Sequence, residues 1–134
     1  MIELICGDGL QWIDDNPRGF VVTDAPKRRI CELLALCEDN GVPMVTAYAK
    51  KWLMRGKFPG EKEIGPYRAI IRAFPDEFLI VDPFMGSGST GVAAVLERRD
   101  FIGIEIVQGR LNHAERRIKN TLAGITSAEL CGIP

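Results

Sequence analysis

The stretch Val81-Asp82-Pro83-Phe84-Met85-Gly86-Ser87-Gly88-Ser89-Thr90-Gly91 constrains the fold more than any other part of the chain. It follows a short run of Phe, Leu, Ile and Val and opens a run of small residues, Val92, Ala93, Val95 and Leu96, at helical spacing. Glycines let the backbone turn sharply and approach a ligand closely. The helix start beyond them offers unpaired N–H groups and a positive dipole end. A further strand-like run reaches Glu105, twenty-three residues beyond Asp82. A carboxylate there stands at the same sheet edge, where it can accept hydrogen bonds from ribose hydroxyls.

The rest of the chain repeats this alternation. Ile2–Cys6, Phe20–Thr23, Val42–Ala47, Phe78–Val81 and Phe101–Ile106 are rich in Val, Ile and Phe. They are nearly continuous rather than alternating, as expected of parallel strands covered on both faces. Apolar residues three and four apart predict helices over Lys27–Asn40, Pro66–Phe74, Ser89–Arg99 and Gly109–Leu122. The last carries Leu111, Ala114, Ile118 and Leu122 on one face, with His113 off it and at the surface. The order βαβαβ…αβαβα predicts an open α/β sheet. Trp12 is expected in the core, in a short turn after Gly7-Asp8. Lys50–Gly65 is irregular, with Trp52 and Phe58 among five lysines and arginines. It reads as a solvated loop with core-capping aromatics or as a track for a phosphate backbone. Ile125–Pro134 reads as a loose tail.

Composition narrows the class. A chain of 134 residues can bury one core, so a single domain over residues 1–134 is expected. Hydrophobic residues make up 46% and charged residues 26%, which excludes a disordered, collagen-like or coiled-coil chain. Seventeen basic residues against eighteen acidic leave a net charge of −1. That excludes a strongly basic nucleic-acid module as a whole but not a local patch. Cys6, Cys31, Cys37 and Cys131, with one histidine, have no zinc-site spacing, so no metal is expected. They are expected to be reduced, mostly buried thiols in a cytoplasmic protein. The start MIELICGDG has no signal-peptide character, and no run is long enough to span a membrane.

Gly86, Gly88 and Gly91 satisfy G-x-G-x-x-G literally. A nicotinamide-dependent oxidoreductase is therefore one reading, and a tight turn without a ligand another. Asp82 speaks against the first: an acid at the strand end repels a pyrophosphate, yet can pair with an ammonium- or sulfonium-bearing ligand. The string D-P-F-M-G-S-G-S-T-G-V-A-A resembles motif I of the DNA amino-methyltransferases, D-P-F-x-G-S-G-T-T, with Ser89 in place of a threonine. Arg98–Ile106 resembles the next block of that family, and the helix ending His113–Ile118 its following tail. Gly7-Asp8 and Phe20–Lys27 resemble the start of permuted members, in which the catalytic strand precedes the cofactor motif.

The resemblance implies a Rossmann-like methyltransferase sandwich with a five-stranded, mainly parallel sheet and helices on both faces. The implied order across the sheet is the Ile2, Phe101, Phe78, Phe20 and Val42 strands. It implies S-adenosylmethionine as cofactor, held by Asp8, Asp82, Pro83, Phe84, Gly86, Ser87, Gly88, Thr90 and Glu105. It implies DNA as partner, methylated at adenine N6 or cytosine N4, as in restriction-modification systems.

The catalytic strand departs from the family pattern. That pattern is Asp/Asn/Ser-Pro-Pro-Tyr/Phe/Trp, in which a side chain and a backbone carbonyl accept the two N–H bonds of the target amine. The aromatic then stacks on the flipped base. Here the residues are Asp24-Ala25-Pro26-Lys27. Asp24 and the Ala25 carbonyl remain as acceptors, but the first proline and the stacking aromatic are missing. The run Glu61-Lys62-Glu63-Ile64 stands at the family's Lys-Pro motif, and its proline is absent too. The stretch before it is too short for a target-recognition region. Three functions compete: a minimal active methyltransferase, a non-catalytic cofactor-binding remnant or regulatory subunit, and the oxidoreductase. Either of the first two needs a second copy or another subunit to contact DNA fully.

Overall fold

The computed structural model describes residues 1–46, 64–130 and 132. Five strands, β1 (Ile2–Cys6), β2 (Phe20–Thr23), β3 (Met44–Thr46), β4 (Ile80–Asp82) and β5 (Phe101–Glu105), form one sheet in the order β1-β5-β4-β2-β3. Every pairing is parallel, and the order is the one the sequence implied.

Successive strand residues point to opposite faces, and both faces are covered. On one, Val22, Ile80 and Phe101 meet α3 (Gly65–Arg72), α4 (Ser89–Leu96) and α5 (Gln108–Leu130) through Ile71, Val92, Leu111 and Ile118. On the other, Val21, Val81, Ile102 and Ile104 meet α1 (Gly9–Asp15) and α2 (Lys27–Asp39) through Ile13, Leu33 and Cys37. Each fully buried aliphatic or aromatic side chain contributes about 1.5–3 kcal/mol. This double burial is why the strand sequences are continuously apolar.

Several expectations need correction. Trp12 lies in a helix, not a turn, and is half-buried. Asp8 caps that helix, accepting from the Leu10 and Gln11 N–H groups. β4 starts at Ile80; Phe78 lies before it, 36% exposed, with its ring edge-on to Phe20. β3 begins at Met44, and β5 ends at Glu105, leaving Ile106 exposed. α4 ends at Leu96, just before Arg98 adopts a left-handed φ of 57°.

α5 runs to Leu130, so most of the expected tail is helix. Ile125 packs on the core while Leu122 is exposed. Seven residues beyond Ile118 returns the chain to within about 20° of the same face, whereas four leave it about 40° away. Cys6 and Cys31 are exposed and only Cys37 is buried among the described cysteines. Cys6 ends an edge strand and Cys31 lies on the solvent side of α2, so their aliphatic neighbours misled. His113 is exposed, as expected. The irregular stretch up to residue 63, Ala47 and Cys131 lie outside the described residues.

One buried charge anchors a helix end. Arg99, 6% exposed, donates to the Ile71, Phe74 and Pro75 carbonyls at the end of α3. Ile71 lies in the last turn of α3, and Phe74 and Pro75 in the chain that leaves it, so the guanidinium ties the helix end to its exit.

Candidate functional site

The carboxyl ends of β4 and β2 meet at a buried carboxylate. Asp82 is 2% exposed and its Oδ1 accepts from the Thr23 hydroxyl at 2.6 Å and from the Phe84 N–H at 3.0 Å. The bond to Thr23 joins the two strand ends directly before Asp24. The turn beyond Asp82 is pressed against α1: a Cβ at Gly9 would lie 1.8 Å from the Pro83 carbonyl oxygen.

The glycine loop is held from two sides. Glu105 Oε2 accepts from the Gly86 N–H at 2.9 Å, and its Oε1 accepts from the Val107 N–H at 3.2 Å. From α5, Arg117 Nη1 donates to the Ser87 carbonyl at 2.7 Å and approaches the Ser87 and Ser89 hydroxyls at 3.2 and 3.3 Å. Gly88 has φ of +87°, and a Cβ there would stand 2.8 Å from the Ala114 Cβ. Glycine is therefore required at this position both for its backbone angle and for close packing of the loop on α5.

Above this frame lies a cleft with two lobes that share Asp24, Phe84 and Gly86. The larger, about 310 Å³, adds Asp8, Pro26, Pro83 and Glu105 to its walls, with Arg28, Arg29 and Arg110. The smaller, about 140 Å³, adds Asp82, Ser87, Ser89, Thr90 and Tyr67. Ten of the twelve residues picked from the sequence thus line the cleft. Ala25 does not: it is 2% exposed in the core beneath α2. Gly88 does not either, because it faces Ala114.

The cleft mixes both charges. Asp8, Asp24 and Glu105 share the larger lobe with the three arginines. The Arg29 guanidinium stands 5.8 Å from the centre of the Phe84 ring and 3.3 Å from the Glu32 carboxylate. Lys27, at the position of the family's stacking aromatic, is exposed on the first turn of α2. Burial, and then the charge of Asp82, push the Tyr67 phenol well above its ordinary pKa, so it stays protonated.

The sequence reading missed the arginines, Arg117 and Tyr67 as site residues. The run Lys27-Arg28-Arg29 next to the catalytic strand was a usable signal for two of them. Nothing local marks Tyr67, which reaches the site only because α3 packs over β4. Among the described residues no group of three His, Cys, Asp or Glu could hold a metal, and no helix is long and apolar enough to cross a membrane.

A family model described as a DNA methylase matches residues 37–116. Type II methyltransferase M2.MboI of Moraxella bovis is 40% identical over 77 residues, 57% of this chain and 27% of that protein. M2.LlaDCHI of Lactococcus lactis subsp. cremoris is 39% identical over 75 residues, 55% of this chain and 27% of that protein. The chain thus spans just over a quarter of the length of these curated relatives. Among solved structures, M1.HpyAVI superposes with a TM-score of 0.68 at 19% identity, covering 88% of this chain and 98% of that one. The putative DNA modification methylase TTHA0409 of Thermus thermophilus does so at 0.68 and 15%, covering 92% and 97%. Both likenesses support the fold.

The G-x-G-x-x-G loop is accordingly a methylase loop rather than a nicotinamide fingerprint. With the permuted sheet, the Asp82 turn and a family match over more than half its length, the chain belongs to the DNA methylases, the adenine-N6 and cytosine-N4 amino-methyltransferases.

Proposed function

We propose that the cleft binds S-adenosylmethionine and that residues 1–134 act as one cofactor-binding domain of the methylase kind. The observation that carries this reading is Glu105. Its two oxygens are fixed by backbone N–H groups at the floor of the larger lobe. Each keeps a lone pair for a ribose hydroxyl. Asp8 and Phe84 flank the same space. The smaller lobe, at the start of α4, suits the amino-acid end. Ser87, Ser89 and Thr90 with the helix N-terminus favour its carboxylate, and Asp82 favours its ammonium. Pro83, Gly86 and Gly88 shape the turn. M1.HpyAVI was solved as a complex with this cofactor, which supports the reading. When bound, the cofactor supplies a methyl group on a sulfonium.

For transfer, Asp24, beside Pro26, would accept an N–H bond of an adenine or cytosine amine and polarise it, while the Ala25 carbonyl of the family pattern belongs to a residue buried outside the cleft lining. Methyl transfer by this chain alone is expected to be weak or absent. Lys27 gives no flat platform, which removes roughly 1–3 kcal/mol of stacking. Loss of the positioning proline can cost about a hundredfold in rate. DNA is the partner this reading requires, reached with a second copy or another subunit, in the cytoplasm. The test is tritiated methyl transfer to unmethylated genomic DNA, with Asp24→Ala as control. Robust turnover that disappears in the Asp24 variant would overturn the expectation of weak activity.

A further inference from the structure

Tyr67 belongs neither to the catalytic strand nor to the glycine loop. It sits in the first turn of α3 and is 2% exposed. Its ring is part of the core with Val22, Ile80 and Met85. The residue nevertheless lines the smaller lobe, together with Asp82, Ser87, Ser89 and Thr90. Among the described residues, no hydrogen-bond partner is found for its hydroxyl. Among the described residues, that hydroxyl is not one of the fully enclosed polar atoms without a hydrogen bond either. The hydroxyl thus keeps some exposure, and the residue is part of the wall of the smaller lobe. A phenylalanine would fill the same core space and present no donor to the lobe. A phenol there adds one donor to the wall of the lobe.

We propose that the Tyr67 hydroxyl is a ligand-binding donor that hydrogen-bonds the carboxylate of the cofactor's amino-acid end. This rests on the cofactor reading above and adds to it a residue outside the loop and strand motifs. The charge pattern sets the direction of the bond. Asp82 repels a ligand carboxylate and attracts an ammonium, so the carboxylate turns toward neutral donors. Tyr67, Ser89, Thr90 and the first N–H groups of α4 are those donors. Burial, and then the charge of Asp82, hold the Tyr67 phenol above its ordinary pKa, so it is a donor at neutral pH.

The test is Tyr67→Phe in the full chain, which keeps the core and deletes one oxygen. Calorimetry would compare S-adenosylhomocysteine, which carries the amino-acid end, with adenosine, which lacks it; thermal unfolding would be followed alongside. The expected result is S-adenosylhomocysteine bound about tenfold or more weakly, the scale of a hydrogen bond to a charged group. Adenosine binding should be unchanged and the midpoint of unfolding should not fall. Equal affinity of parent and variant for S-adenosylhomocysteine, or an equal loss for both ligands, would overturn the assignment. If the parent chain binds no S-adenosylhomocysteine, the cofactor reading itself fails, and the role of Tyr67 fails with it.

Discussion

At residue scale, Glu105 and Arg99 look alike in the sequence, charged residues at either end of a strand run, yet they do different work. Glu105 turns its carboxylate to the cleft and at the same time holds Gly86. Removing it takes away a ligand acceptor and loosens the loop. Glu105→Ala is expected to weaken S-adenosylmethionine binding by about 1.5–3 kcal/mol, read by calorimetry; an unchanged affinity would count against its role. Arg99 faces away from the cleft and satisfies three carbonyls at the end of α3. Its neighbours Arg98 and Asp100 are exposed, so nothing in the run Arg98-Arg99-Asp100 marks the middle residue as buried. Burial of a single arginine is invisible without its carbonyl partners.

At element scale, the join between α4 and α5 depends on Gly88. Gly88→Ala meets the Ala114 Cβ and forces a side chain into a left-handed conformation. The expected loss is about 2–4 kcal/mol in a urea titration. Adding Ala114→Gly should recover the steric part and not the backbone part. The join between α3 and α4 is electrostatic. Glu97, at the end of α4, accepts from Arg68 at 2.6 Å and stands 2.8 Å from Arg72, both on α3. Its pKa is lowered, first by the hydrogen bond from Arg72, against a desolvation that raises it. A carboxylate with a depressed folded pKa stabilises the fold above its unfolded value and loses that contribution as pH falls through the folded one. The unfolding midpoint of Glu97→Gln should therefore lie below that of the parent at pH 7, and the gap should close below the ordinary carboxylate range. A gap that persists at the lowest pH would show that the pair acts through packing. The helices themselves were legible where periodicity ran long, as in α2 and the first half of α5. α1 was missed, because seven residues give too little periodicity. Its cap was visible in Asp8, which the cofactor reading had already claimed.

At the scale of the whole molecule, the parallel order places β4 and β2 side by side, and the cleft opens at their carboxyl ends. Among the described residues β3 pairs with β2 alone, so no described strand covers its other edge. Such edges tend to be covered or paired. Self-association or capture of another subunit is expected to follow. Sedimentation of the full chain at tens of micromolar checks this, and a monodisperse monomer there would speak against it.

The sequence by itself determined the strands' double burial, their parallel order by resemblance, and the loop from Asp82 to Gly91 with Glu105 as its companion. These are local signals: continuous apolar runs, glycines at a turn, and an acid at a strand end. Only the tertiary structure decided what the loop rests on and what faces it. Arg117 holds it through the Ser87 carbonyl, Gly88 seats it on Ala114, and Tyr67 shares the smaller lobe with Asp82. Arg117 and Tyr67 carry no local mark, because their roles arise from the crossing of helices over a sheet. A contact between distant residues depends on where two elements meet, and no spacing along the chain encodes that meeting point.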